Sequence, residues 1–435
     1  MREVSSWGRL SRVPHDVVRP AFLDALRAAA DQKSAPYLCY GMGRSYGDVC
    51  LNARHRLIVT DTLDRIVSVD WQRGILRAEA GLTFDRLLSL TVPHGWFAPV
   101  VPGTKFATLG GAVANDVHGK NHEQVGTLGA HVTALGLMRS SGEMLTLSRE
   151  ENAELFAATI GGLGLTGVIA WVELQLAPIK SAMIDSETFA LNDLSDFFKR
   201  AEESRDWAYT VAWIDCLAKG AAAGRGFFTR GRHSEHGELT VHTPPRLAVP
   251  FDAPGALLNA HTIALFNLLY RHRPLVLGAR RMHYAPFLFP LDAVAHWNRL
   301  YGKRGFFQHQ SAVPMANAFD TLRRLLALVA ESGEGSFLVV SKLFGDKPSP
   351  GLISFPLPGA TLALDFPNKG ESTRRLLERM ADLVLAAGGR LYPAKDATMS
   401  AVAFRTGYPA WRKLEAQRDP AIMSDFWRRV AAEAA

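Results

Sequence analysis

Three glycine clusters near the start of this sequence are the segments most able to do chemistry. They are Gly41-Met42-Gly43-Arg44-Ser45-Tyr46-Gly47-Asp48, Gly103 with Gly110-Gly111, and Gly161 to Gly167. Glycine lets backbone N–H groups come close to a ligand and turn through positive φ, so such loops can surround a pyrophosphate with donors. One cluster alone is ordinary turn chemistry. The doubly wound dinucleotide fingerprint needs G-x-G-x-x-G between a strand and a long helix, with an acidic residue about 20 positions on. Here the third glycine is displaced by one position, and Asp48-Val49-Cys50-Leu51-Asn52 continues as loop. No G-K-[ST] closes the cluster, so a Walker loop is excluded. An anion-binding loop of another kind remains. His118 and His122 stand four apart, but Gly119 interrupts any helix there and no third ligand is near in sequence, so no metal site is expected.

The elements around these clusters are short. Phe22, Leu23, Leu26 and Ala30 follow Pro20 at helical spacing and predict a helix over 20–31. Leu57-Ile58-Val59 is a short apolar run. Residues 66–70 and 75–80 partly alternate around the turn Trp71-Gln72-Arg73-Gly74, and 84–90 reads as helix again. Two strands between His131 and Leu147 meet at Ser140-Ser141-Gly142, and a strand over 168–176 follows the third glycine cluster. Short strands mixed with short helices predict an α+β domain ending near residue 181. A second domain of longer helices and mixed strands follows. The stretch from Gly231 to about His283 is the least regular; it carries Leu257, Leu258, Ile263, Leu265, Phe266, Leu268 and Leu269, then Arg271, Arg273, Arg280 and Arg281.

With 435 residues, two domains are the natural expectation. A hydrophobic share of 48% and a charged share of 21% fit a soluble globular chain. No uninterrupted apolar run is long enough for a membrane span, and Met1 to Gly8 lacks the apolar core of a signal peptide. The expected location is cytoplasmic, or peripheral at the inner membrane. Cys39, Cys50 and Cys216 are an odd number without C-x-x-C spacing, which argues against a disulfide framework or a zinc site. The net charge of +7 suggests anionic company: an acidic membrane surface or a phosphorylated substrate. No aromatic residues interleave with Lys/Arg as in nucleic-acid modules, so no nucleic acid is expected.

The motifs themselves resemble a known family. Gly41 to Asp48 resembles the pyrophosphate loop of the vanillyl-alcohol-oxidase, or p-cresol-methylhydroxylase (PCMH)-type, FAD-binding fold. Pro102-Gly103-Thr104 with Thr108-Leu109-Gly110-Gly111-Ala112-Val113-Ala114 resembles its second signature. Asn115-Asp116-Val117-His118-Gly119-Lys120-Asn121-His122 is narrower and resembles the oxidase components of polyprenylphosphoryl-ribose 2-epimerases. The likeness continues through Trp213-Ile214-Asp215, Trp297 to Gly302, Phe307-Gln308-His309-Gln310, Lys342-Leu343-Phe344-Gly345, Asp365-Phe366-Pro367 and Leu391 to Asp396. It covers nearly the whole chain and is weakest over 231–283.

This resemblance implies an α+β, two-domain PCMH-type fold. An FAD-binding domain spans 1–181 and is completed by 390–435, and a mixed α/β substrate-binding domain over 182–389 covers the flavin. FAD contacts are implied for Cys39, Tyr40, Gly41, Met42, Gly43, Arg44, Ser45, Tyr46, Gly47, Asp48, Val49, Gly103, Thr108, Leu109, Gly110, Gly111, Asn115, Asp116, Val117, His118, Ile169 and Tyr392. Many relatives carry the flavin on a histidine beside the first serine of the pyrophosphate loop. Arg44 stands there, so non-covalent FAD is expected.

Oxidation of a secondary alcohol sends a hydride to the flavin while the protein supplies position, a proton path and charge. The likeness puts Lys395, Tyr46, His118 and Lys120 at the ring, and Gln308, Gln310, Lys342, Thr361 and Ala363 on the substrate side. A lysine of lowered pKa, Tyr46, His118 or a water could each take the hydroxyl proton. His122 and His309 are read as structural. Thr361 and Ala363 stand where the family carries Asn and a flavin-facing Cys; hydride transfer needs no thiol, whereas agents that trap that thiol should fail here.

The implied reaction is oxidation of the ribose 2-hydroxyl of a polyprenylphosphoryl-β-D-ribose to a 2-keto sugar, in arabinan synthesis for the cell wall. An NAD(P)H-dependent short-chain reductase would then act as the partner that completes epimerisation. A soluble alditol or aldonolactone oxidase is the alternative on the same fold, and a non-catalytic flavin or lipid-carrier protein is an alternative of another class. The Leu/Phe cluster 257–269 reads either as a core helix with basic flanks or as an interfacial segment making peripheral membrane contact.

Overall fold

A computed structural model of the chain describes residues 1–31, 33, 36–241, 247–255, 257–271 and 277–431; Arg273 lies outside them. Residues 2–59 supply a four-stranded sheet in the order Arg2–Val4, Val13–Val18, Arg56–Val59, Tyr37–Tyr40. The last three strands run parallel. Tyr37–Tyr40 delivers the chain directly into the first glycine loop.

A five-stranded antiparallel sheet follows, ordered Ile66–Asp70, Ile75–Glu79, Val168–Gln175, Val132–Met138, Met144–Ser148. Leu76 and Ala78, Leu135 and Leu137, and Val172 and Leu174 sit two apart on neighbouring strands, so all six point to one face. That face packs against helices Phe84–Thr91 and Leu109–Ala114 in one fully buried cluster. Each buried leucine or valine there contributes about 1.5–3 kcal/mol.

The remainder centres on an eight-stranded antiparallel sheet. Its order is Gly278–His283, Met183–Leu191, Gly226–His233, Tyr209–Ile214, Val339–Phe344, Gly359–Pro367, Phe306–Pro314, Arg390–Leu391. Helices Met315–Ser332 and Glu371–Ala386 cover its back, where Leu322, Leu325, Val329, Leu376 and Met380 meet Val313, Leu362, Leu364 and Phe366. Alternation then fixes the front. A strand that buries Leu362, Leu364 and Phe366 behind must present Thr361, Ala363 and Asp365 on the other face. Opposite them in register stand Ala312, Gln310 and Gln308.

The C-terminal stretch is divided between the two halves. Arg390–Leu391 is the edge strand of the large sheet. Beyond it, Ile422 bridges to Tyr37, and Asp425 accepts the Ala53 N–H at 3.0 Å, so the tail clamps the N-terminal sheet. Among the described residues no helix is long and apolar enough to cross a membrane.

Candidate active site

The front of the large sheet and the glycine loops enclose a cavity of about 1260 Å³. That exceeds the roughly 300–1,000 Å³ of a small-ligand pocket and leaves room for a dinucleotide beside a second molecule. One wall is backbone. At Gly41 a side chain would strike the Thr108 hydroxyl at 2.5 Å, so the loop presses on the Thr108 cap with glycine there, while Gly43 has φ of +60°, a turn that favours glycine. Thr108 in turn caps helix Leu109–Ala114 by accepting the Gly111 N–H at 3.2 Å.

The N–H groups of Gly43, Arg44 and Ser45 find no protein acceptor among the described residues. Gly103 lines the same cavity with open space where a side chain would stand. Unused donors, a bare glycine edge and this volume fit the pyrophosphate and rings of a flavin dinucleotide. Cys39, Met42, Val49, Gly110, Gly111, Asn115, Val117, Ile169 and Tyr392 complete that wall.

Five residues expected at the cofactor lie off the cavity wall. The Tyr40 hydroxyl donates to the Ser5 carbonyl at 2.9 Å. Gly47 is pressed against the Asp396 carbonyl, and Asp48 pairs with Arg429 at 2.7 Å. Leu109 is wholly inside the core. The Asp116 carboxylate accepts from the Gly129 N–H at 2.8 Å and from the hydroxyls of Ser349 and Ser354, which bolts the 349–354 loop to the glycine-rich domain.

The facing wall is made of side chains. Gln308, Gln310, Thr361, Ala363 and Lys342 all present themselves from adjacent strands, and Tyr46, His118, Lys120 and Lys395 meet them. Lys342 donates to His118 Nδ1 at 3.0 Å and to the Gly119 carbonyl at 2.9 Å. Burial and the neighbouring Lys342 hold the imidazole of His118 well below its usual pKa, so it is neutral. The other ring nitrogen, Nε2, stands 3.1 Å from the Gln310 amide nitrogen, which also donates to the Thr361 hydroxyl. Burial pushes Lys342 down to about 7 and Lys120 down to about 8. Lys120 donates to the carbonyls of Phe287 and Leu288. Lys395 Nζ stands 3.9 Å from the centre of the Tyr46 ring. Burial pushes the Tyr46 hydroxyl well above 10, so it stays protonated.

Residues 392–394 stitch the two walls together. The Tyr392 N–H donates to the Gln310 carbonyl at 2.9 Å, and its hydroxyl donates to the Asn115 carbonyl at 3.0 Å. The Ala394 carbonyl accepts the Tyr46 N–H at 2.9 Å.

Several wall residues escaped sequence reasoning. Trp7 stacks on Arg44, with 4.1 Å from the guanidinium to the ring centre. Val211, Trp213 and Phe227 extend the sheet wall as an apolar surface towards Tyr270. Their two-residue alternation was readable, but not which face turns inward. Among the described residues, Arg44, Lys120, Arg280, Lys342 and Lys395 line the cavity against the single carboxylate of Asp292, a positive field suited to phosphate groups. His122 lies off the wall, its ring 4.6 Å from that of Phe344, and His309 is buried on the far side of its strand.

Known proteins bear on this geometry. A family model described as an FAD binding domain matches residues 17–148. The chain is 32% identical over 451 aligned residues to the decaprenylphosphoryl-beta-D-ribose oxidase of Mycolicibacterium smegmatis, covering 99% of this chain and 97% of that one. It is 28% identical to the L-gulonolactone oxidase of Scyliorhinus torazame over 40% of each chain. It is 27% identical to human Delta(24)-sterol reductase over 29% of this chain and 24% of that protein. Read with the cavity between loops and sheet, these matches identify the cofactor as FAD and the activity as oxidation of CH–OH groups. The chain belongs to the PCMH-type FAD-binding oxidoreductases, with the two-domain α+β fold of that family.

Proposed function

We propose that the chain oxidises the ribose 2-hydroxyl of a polyprenylphosphoryl-β-D-ribose to the 2-keto sugar. A separate NAD(P)H-dependent short-chain reductase then completes epimerisation to the arabinose donor for arabinan in the cell wall. Bound FAD supplies the hydride acceptor. On the protein side, Gln308, Gln310 and Thr361 offer hydrogen bonds to sugar hydroxyls, Lys120 and Lys342 offer charge to the phosphate, and Lys395 orients the reacting hydroxyl above the Tyr46 ring. Cys39, Gly41 to Tyr46, Val49, Gly103, Thr108, Gly110, Gly111, Asn115, Val117, His118, Ile169 and Tyr392 are the proposed FAD-binding set. Arg44, held against Trp7, stands where a covalent link would need a histidine, so acid precipitation should release all the flavin.

The observation that carries this reading is the joining of two environments in one cavity. The cationic, amide-lined end suits a sugar phosphate. The apolar surface of Val211, Trp213 and Phe227 leads to Tyr270 on helix Ala260–Arg271. A free polyol has no use for that second half. The same helix buries Ile263 and Asn267 and turns Leu265, Phe266, Leu268 and Leu269 to solvent at 41–63% exposure. Arg271 ends the helix and Arg280 lines the cavity nearby, which supports peripheral contact with an anionic bilayer.

A soluble aldonolactone oxidase is the second reading, favoured by the similarity to L-gulonolactone oxidase. Anaerobic mixing with polyprenylphosphoryl ribose and with L-gulono-1,4-lactone separates the two. The proposal expects the lipid-linked sugar to bleach the flavin and the lactone to leave it oxidised; the opposite pattern overturns it.

A further inference from the structure

Two buried carboxylates lie close behind the cavity, and they are held very differently. Asp116 accepts from two hydroxyls and a backbone N–H, which makes it a satisfied structural group. Asp365 is fully inaccessible on the front face of the large sheet, directly opposite Gln308. One of its oxygens accepts from the Gln308 amide. The other, Oδ2, and the Tyr301 hydroxyl facing it are buried, and neither makes a well-formed hydrogen bond. An under-bonded buried carboxylate is strongly disfavoured unless a cation compensates it.

We infer that Asp365 is the counter-ion that keeps Lys395 in its ammonium form over the Tyr46 ring, acting through space and through the Gln308 amide that it anchors. The charged and titratable groups around the pair are few. Asp365 has Tyr301 beside it and lies within electrostatic reach of Tyr46 and Lys395. Lys395 faces Asp365 and Tyr46, with Lys342 and His118 beyond. Burial pushes Lys395 towards losing its proton, and among the described residues Asp365 is the charge that opposes it. Burial drives the carboxyl pKa up and the ammonium pKa down, and each charge resists that drift in the other. Asp365 is not among the residues that line the cavity, so its role is positioning and charge control. For catalysis the inference rests on the alcohol-oxidation reading; the titration below does not.

The test is heteronuclear NMR of isotope-labelled lysine side chains in the holoenzyme without substrate, the Lys395 signal being identified by its loss in Lys395→Arg. Asp365→Asn keeps the shape and the Gln308 contact but removes the charge. It should lower the Lys395 titration midpoint by about one pH unit or more, the effect of deleting an opposite charge at close range. An unchanged midpoint overturns the inference. Should Asp365→Asn fail to fold, the same coupling is read from the other partner: Lys395→Met must raise the carboxyl midpoint of Asp365, and no rise is equally fatal. In flavin reduction, Asp365→Asn should move the limb belonging to Lys395 to lower pH and have no further effect in a Lys395→Met background. Additive losses would mean that Asp365 serves only packing. Failure of the lipid-linked sugar as substrate leaves the NMR result untouched, so the two readings fall separately.

Discussion

The two walls of the cavity are built on opposite principles. The glycine-loop wall offers main-chain donors from contiguous stretches, 41–46 and 103–117, with little side-chain chemistry. The sheet wall offers side chains from strands up to 150 residues apart, such as Tyr209–Ile214 and Gly359–Pro367, aligned only by register. A backbone wall recognises what every member of a cofactor family shares. A side-chain wall can be rewritten residue by residue while the sheet stays intact, and substrate choice belongs there.

Substitutions that separate the walls should act very unequally. Gly41→Val drives a side chain into Thr108 and should yield colourless protein, measured as the flavin absorbance of the purified chain; full flavin content would refute the backbone character of that wall. Lys395→Met should keep the flavin but slow its anaerobic reduction by about 10²–10³-fold, the loss typical of one charge-stabilising donor. Lys342→Met should lower kcat/KM by roughly 10–100-fold, as expected for a lost charged contact worth about 1.5–3 kcal/mol. The sign of the pH effect follows from burial. Lys342 is pushed down to about 7, so it is charged below that pH and neutral above it. Binding of a phosphorylated sugar should therefore weaken as pH rises through 7, and Lys342→Arg should flatten that limb. Ala363→Cys should change turnover least, yet make the enzyme vulnerable to electrophiles that trap a thiol.

The same contrast explains what the sequence disclosed. Helix Phe84–Thr91 and strands Ile66–Asp70, Ile75–Glu79 and Val168–Gln175 fall close to their expected spans, because local periodicity and turn residues define them. The helix expected over 20–31 is shorter, Leu23–Ala29. The glycine loops were legible as contiguous motifs. Gln308, Gln310 and Lys342 were legible only through family likeness, since nothing local shows that Lys342 stands beside Thr361 or meets His118. Asp116 and Asp48 belonged to motifs at the cofactor, yet their neighbours turn them to bolting loops together. Asp365 sat within a recognised tripeptide with nothing to mark its charge as exceptional. That depends on which cation faces it across the fold.

The junction at residues 392–394 has a mechanical consequence. Lys395 follows directly on a peptide sewn to the sheet at Gln310 and to the loop at Tyr46. Prising the cleft open must tear one of those seams first, and the ammonium then leaves with whichever flap retains its thread. The ammonium is thus held from both walls at once, and separating them would displace it from at least one.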